Sequence, residues 1–145
     1  MSETIFTRLL KGELPCAKVY EDELTFAFMD AGQVNPGHVL VALKRPAQTI
    51  LDITEAEAAA LFVAARRVAR AVQEAFHPPG ITVLQANGVE GFQTVPHIHL
   101  HVLPRHAGDG VDLVWPRKCP DGAELDALAA HIRPMLQAGN TPVDK

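Results

Sequence analysis

Three of the seven histidines in this chain fall at alternate positions of one run, Pro96-His97-Ile98-His99-Leu100-His101-Val102-Leu103. Alternation at period two is the mark of a half-buried strand. Successive side chains on a strand point to opposite faces. His97, His99 and His101 therefore share one face, and Ile98, Leu100 and Val102 share the other. The aliphatic face asks for a core, which leaves a row of imidazoles on stiff backbone. Imidazole is the side chain whose charge changes near neutral pH. Three readings are open: covalent catalysis, metal binding and an idle polar face. Strands usually fill an idle face with Thr, Ser, Lys and Glu, so that reading ranks last. For metal, His97 and His101 stand about 13–14 Å apart along an extended strand. Zinc–nitrogen bonds are only about 2.0–2.1 Å. A neighbouring pair can share an ion with His38, but all three can do so only if the strand bends. Catalysis ranks first, with one ring as nucleophile and its neighbours orienting it or moving protons.

At 145 residues the chain has the length of one domain over 1–145. Folding at this size buries about 68–70% of the chain's surface, enough for a core. Net charge is −4 with no basic tract, which argues against nucleic acid as a partner. A small anionic substrate stays compatible, because local donors override a modest global charge. Cys16 and Cys119 lie far apart and form no Cys-x-x-Cys, so they read as buried, inert thiols rather than a disulfide framework or zinc ribbon. No stretch reads as a signal peptide or a membrane span, which gives the expectations of a cytoplasmic protein and of no membrane partner.

Sequence patterns give an element order. Thr4–Leu10 predicts a short helix or turn, and Gly12 and Pro15 break it. Strands are expected over Lys18–Asp22, Leu24–Met29, His38–Leu43 and Ile81–Gln85, with Asn35-Pro36-Gly37 as a turn. Thr54–Phe76 predicts the long helix, opened by a Thr54/Glu57 capping box. Its apolar stripe is Leu61, Phe62, Ala65, Val68, Ala69, Val72 and Phe76, while Arg66, Arg67, Arg70 and Glu74 read as a solvated face. His77 falls at the helix end, and His106 and His131 read as surface residues. Asp121 and Glu124 start a last helix to about Gln137, which Pro134 should kink or end. The tail beyond Gly139 is expected to fray. The expected class is α+β: an antiparallel sheet of about five strands, with a long helix packed on it and a C-terminal helix.

The histidine run, the Asn35-Pro36-Gly37-His38 turn and the loop before His97 together resemble the histidine triad (HIT) superfamily, whose mark is His-φ-His-φ-His-φ-φ with φ apolar. The resemblance covers most of residues 5–116, the expected core, with the C-terminal helix and tail over 121–145. It takes in Val19-Tyr20-Glu21-Asp22, Phe28-Met29-Asp30, Gly91-Phe92-Gln93-Thr94-Val95 and Pro104-Arg105. The N-terminal part is similar to the nucleotide-binding Hint branch, and Val39 to Asp109 is also similar to the Fhit branch of dinucleoside polyphosphate hydrolases. The resemblance implies a nucleotide hydrolase or transferase acting at the α-phosphorus, without a cofactor and as a homodimer. It implies that His99 is the nucleophile, forming a nucleotidyl-histidine intermediate. His101 would stand near the leaving group, with His97 and His38 in a supporting relay. Asp30 would hold ribose hydroxyls, and Asn87, Gln93 and Thr94 would contact phosphate oxygens and leaving group. Phe6, Leu9, Leu14, Phe28 and Ala31 would sandwich a purine. The chain departs from the pattern twice. Several bacterial relatives carry an N-terminal Cys-x-x-Cys for structural zinc, where this chain reads Phe6-Thr7-Arg8. Phe92 stands where glycine is common, which should keep the Gln93 amide further from phosphate.

A neutral imidazole near pH 7 supplies a nucleophile without deprotonation, since its ordinary pKa is about 6.5. Charge spreads over phosphoryl oxygens in the transition state, so positioned donors matter most. No carboxylate cluster of the Mg²⁺-holding kind lies near the triad, so the site is expected to bind no metal. Each helper residue also has a plain alternative: a turn cap for Asp30, a turn dipeptide for Asn87-Gly88, loop polars for Gln93 and Thr94, core for Phe28, Leu14 and His38. Two functional rivals stay open, a nucleotide-binding regulatory module with incidental turnover and a zinc-dependent hydrolase using His38 and a triad pair.

Overall fold

The histidine strand lies inside the sheet, paired on both edges. In the computed structural model, which describes residues 3–139, five strands form one antiparallel sheet in the order β1-β2-β3-β5-β4. They are β1 (Lys18–Glu21), β2 (Thr25–Met29), β3 (Val39–Leu43), β4 (Gly80–Gln85) and β5 (His99–Arg105). Helix α1 (Ile5–Leu10) precedes the sheet, and α2 (Glu55–Phe76) joins β3 to β4 after a 3₁₀ turn at Ile50–Asp52. The α+β class and the five-stranded antiparallel sheet are therefore as the sequence pattern indicates. The chain forms two compact units, Met1–Gly110 and Val111–Lys145, and α3 (Gly122–Gly139) belongs to the second.

Alternation along the strands sorts the sheet's two faces. Ala27, Val39, Val41, Leu43, Ile98, Leu100 and Val102 pack against Leu61, Ala64, Ala65, Val68 and Val72 of α2. Phe26, Phe28, Leu40 and Ala42 lie on the opposite face with Phe6 of α1. Register places His99 opposite Ala42 and His101 opposite Leu40, with Phe26 and Phe28 one strand further on. The imidazoles thus share the α1 face, and Ala42 leaves room beside His99.

Several details differ from the sequence pattern. Strand β5 begins at His99, not His97, because the Ile98 amide donates to the Ala47 carbonyl (2.8 Å) outside the ladder. In α2 the Thr54/Glu57 box forms and His77 ends the helix in the left-handed region, but Phe62 is 65% exposed and Phe76 is 47% exposed. Neighbouring helical residues are about 100° apart, which turns Phe62 away from the stripe centred on Leu61. Ala64 takes its place in the core. Helix α3 runs through Pro134 rather than ending there. Proline removes one ladder donor, but its φ is itself helical, so flanking turns carry the helix on. Both cysteines are exposed, not buried, because neither lies on an element with a core-facing position: Cys16 precedes β1 and Cys119 precedes α3. The expected frayed tail lies outside the described residues. His106 and His131 are exposed.

Candidate active site

Two carbonyls fix the first two triad rings. The Nε2 of His97 lies 2.6 Å from the Leu43 carbonyl oxygen, and Nδ1 of His99 lies 2.8 Å from the carbonyl oxygen of His97. A carbonyl only accepts, so each of those nitrogens carries the proton. His99 is left with an unprotonated Nε2, the nucleophilic atom of a neutral imidazole. Phe6 wedges edge-on against both rings, with centroids 5.6 Å from His97 and 4.9 Å from His99. This contact, with the Thr4/Thr7 capping box that starts α1, holds the helix against the triad.

The third ring belongs to a relay. The Val34 amide donates to Nδ1 of His38 (3.4 Å), which leaves the His38 proton on Nε2. That atom lies 2.9 Å from Nδ1 of His101 and 3.5 Å from Oδ2 of Asp30. His101 accepts at Nδ1, so its own proton sits on Nε2 as a donor. Gln33 braces the loop between Asp30 and His38: its amide donates to both of their carbonyls (2.6 and 2.7 Å) and accepts from the Gly37 amide (3.0 Å). Burial lowers the pKa of His38, His97 and His99 below the ordinary imidazole value. His101 falls furthest, to about 4, through burial and the neighbouring His99 and His38 rings, with Asp30 pulling the other way. All four rings are neutral at pH 7.

A pocket of about 660 Å³ opens onto these rings. Phe6, Leu9, Leu14, Phe28 and Ala31, the residues expected around a purine, all line it, together with Asp30, Thr94, His99 and His101. Leu40, Met29, Val95 and the Ile5, Pro15 and Cys16 side also contribute, and sequence reasoning missed them. Ile5 and Val95 sit beside recognised positions. Nothing in the sequence marks Cys16.

A family model for the HIT domain matches residues 11–108. The chain belongs to the HIT family. It is 39% identical over 125 residues to a bis(5'-adenosyl)-triphosphatase of Dictyostelium discoideum, covering 81% of this chain and 84% of that one. It is 31% identical over 129 residues to the adenosine 5'-monophosphoramidase hnt1 of Schizosaccharomyces pombe, covering 88% of this chain and 94% of that one. The crystal structure of a HIT family member from Bacillus subtilis superposes with a TM-score of 0.88 at 34% identity, over 92% of this chain and 96% of that one.

Not every helper expected from the HIT resemblance faces the pocket. The Asn87 side chain accepts from the Ile50 amide (2.7 Å) and pairs with the Gln85 side chain. The Gln93 side chain accepts from the Gly88 amide and donates to the Gln48 and Val95 carbonyls, and the Gln93 amide donates to Gly88 (3.0 Å). Both residues brace the loop that presents Thr94, and neither lines the pocket. Phe92 holds φ +66°, the left-handed region that favours glycine.

The structural zinc site of some bacterial HIT proteins does not fit this chain. Threonine hydroxyls cap the start of α1, and neither cysteine joins a group of metal-ligand atoms among the described residues. Nor do two triad rings converge with His38. The one such group described is Asp30, His38 and His101, with a single triad member. His97 is fully buried with its Nε2 on Leu43, and it is not part of that group.

Proposed function

We propose that this HIT protein hydrolyses or transfers the nucleotidyl group of a purine nucleoside phosphoramidate or dinucleoside polyphosphate, through a covalent intermediate on His99. The carrying observation is the His99–His97 carbonyl bond, which fixes the tautomer and leaves the Nε2 lone pair for the pocket. The named activities of the relatives support the reaction class. No helix among the described residues is long and apolar enough to cross a membrane. Two free thiols suit the reducing cytoplasm.

The purine lies between Phe6, Leu9, Leu14 and Phe28, and Asp30 accepts from the ribose hydroxyls. The α-phosphorus then stands before His99. Nε2 attacks, a phosphorus–nitrogen bond forms, and the bond to the leaving group breaks with its electron pair departing on that group. His101 passes its Nε2 proton to the leaving atom as that bond breaks, with its ring orientation set by His38. As His99 becomes cationic, its Nδ1–H bond to the carbonyl strengthens. Water then attacks phosphorus and returns one proton to His101 Nε2, the phosphorus–nitrogen bond breaks with its electron pair going back to His99 Nε2, and the hydroxyl stays on the nucleotide product. Gly91 and Phe92 shape the loop that brings Thr94 to the phosphate.

Radiolabelled adenosine phosphoramidate tests this by acid-free quench and gel. Label should stay on the wild type and be absent from His99→Ala and His99→Gly. Equal labelling of all three would sink the proposal.

We also propose that two copies pair. The free edge of β4 adjoins an apolar groove lined by Ile50, Phe62, Val83 and Leu84, which needs a cover. Sedimentation should give about twice the 15.7 kDa chain mass.

A further inference from the structure

We propose that Asp30, His38 and His101 form an inhibitory site for zinc or a similar borderline divalent cation, which excludes nucleotide from the pocket. The inference rests on the catalytic reading above, since it needs Asp30 and His101 to serve the substrate. One ligand atom from each residue lies within 4.8 Å of the other two. Tetrahedral zinc with bonds of about 2.0–2.2 Å spaces its ligand atoms about 3.3–3.6 Å apart. Asp30 Oδ2 and His38 Nε2 already stand at 3.5 Å. His38 Nε2 and His101 Nδ1, at 2.9 Å, need to part by about 0.5 Å to meet that spacing.

The donor set suits the ion: two imidazoles and a carboxylate, with a fourth position for water. His101 Nδ1 already carries a free lone pair, as the acceptor of the His38 proton, and a small turn of the two rings aims it at the ion. His38 has only to move its proton from Nε2 to Nδ1. That exchange gives up the Val34 amide contact, which at 3.4 Å is a long one. No proton is gained or lost by the three side chains. Asp30 and His101 both line the pocket, so the ion reaches them through the mouth that admits substrate.

The consequence is competition. Zinc would take the Asp30 carboxylate away from a ribose and replace the proton that couples His38 to His101. It would leave His99 untouched, because the two nitrogens of that ring face the His97 carbonyl and the pocket. Metal binding and nucleophilic chemistry therefore use different rings, which makes them separable.

The test uses chelator-treated full-length protein with Zn²⁺ and, as a spectroscopic probe, Co²⁺. Calorimetry should find one high-affinity site per chain that AMP displaces, and Co²⁺ should give the intense visible band of a tetrahedral site. Zn²⁺ should raise KM for adenosine phosphoramidate with kcat unchanged. Asp30→Asn, which keeps the side chain's shape, should weaken Zn²⁺ at least about tenfold. His99→Ala should bind Zn²⁺ as the wild type does while losing turnover, and His106→Ala should alter neither. Stimulation by Zn²⁺, loss of the site in His99→Ala or His106→Ala, or Zn²⁺ and AMP binding together would each overturn the inference. Turnover surviving in His99→Ala would instead remove the nucleophile assignment and leave the metal result standing.

Discussion

At the scale of single residues, the four imidazoles are kept neutral by burial, and that has a sign. A histidine in the unfolded chain titrates near 6.5, and folding lowers His38, His97, His99 and His101 below it. A base whose folded pKa is depressed contributes stability above its unfolded pKa and loses it as the medium is acidified. Stability should therefore be flat above pH 6.5 and fall between there and about 4, the value for His101. From that ring alone the loss is about 3 kcal/mol by pH 4. Urea midpoints across this window check it, and a midpoint that rises on acidification would contradict it. Phe92 makes a second point. It is 88% exposed at φ +66°, so its ring earns no packing for a strained backbone. Phe92→Gly should cost nothing and raise stability by up to about 1 kcal/mol, read as a higher thermal midpoint. Gly91 allows no such change, since a Cβ there would meet the Asn87 carbonyl oxygen at 2.3 Å.

Among elements, α1 is the least self-sufficient. A six-residue helix is too short to persist alone. Its order comes from the reciprocal Thr4/Thr7 box and from Phe6 lodged against His97 and His99. Ile5, Phe6 and Leu9 also wall the pocket. Thr4→Val keeps the shape and removes the cap, at about 1 kcal/mol. It should raise KM for nucleotide several-fold and change kcat less, because the His99 tautomer is fixed by the His97 carbonyl rather than by α1. Steady-state kinetics decide this, and an equal fall in kcat would show that α1 aligns the nucleophile itself. These elements also show what sequence can reveal. Period-two alternation located the histidine face, and helical spacing with a capping box located α2. Long-range closures left no local mark. Ala47 taking the Ile98 amide shifted the start of β5, and the folding-over of the 86–93 loop spent Asn87 and Gln93 on bracing. Exposure of Cys16 followed from which loop passes the pocket, which no pattern within that loop encodes.

On the scale of the whole molecule, the reactive groups hang from the middle of the sheet. β3 is buried at all five positions, and β5 is bonded on both edges. His38 stands at the mouth of β3, while His99 and His101 belong to β5. Amides in such strands exchange only when the entire sheet opens. Deuterium uptake should therefore be slowest over Val39–Leu43 and Leu100–Leu103, and fast uptake there would refute the arrangement. The same placement makes thermal inactivation cooperative. Warming has no partly melted form to offer in which the centre alone has come apart, so turnover should vanish at the temperature where the far-ultraviolet signal collapses, and return with it on cooling.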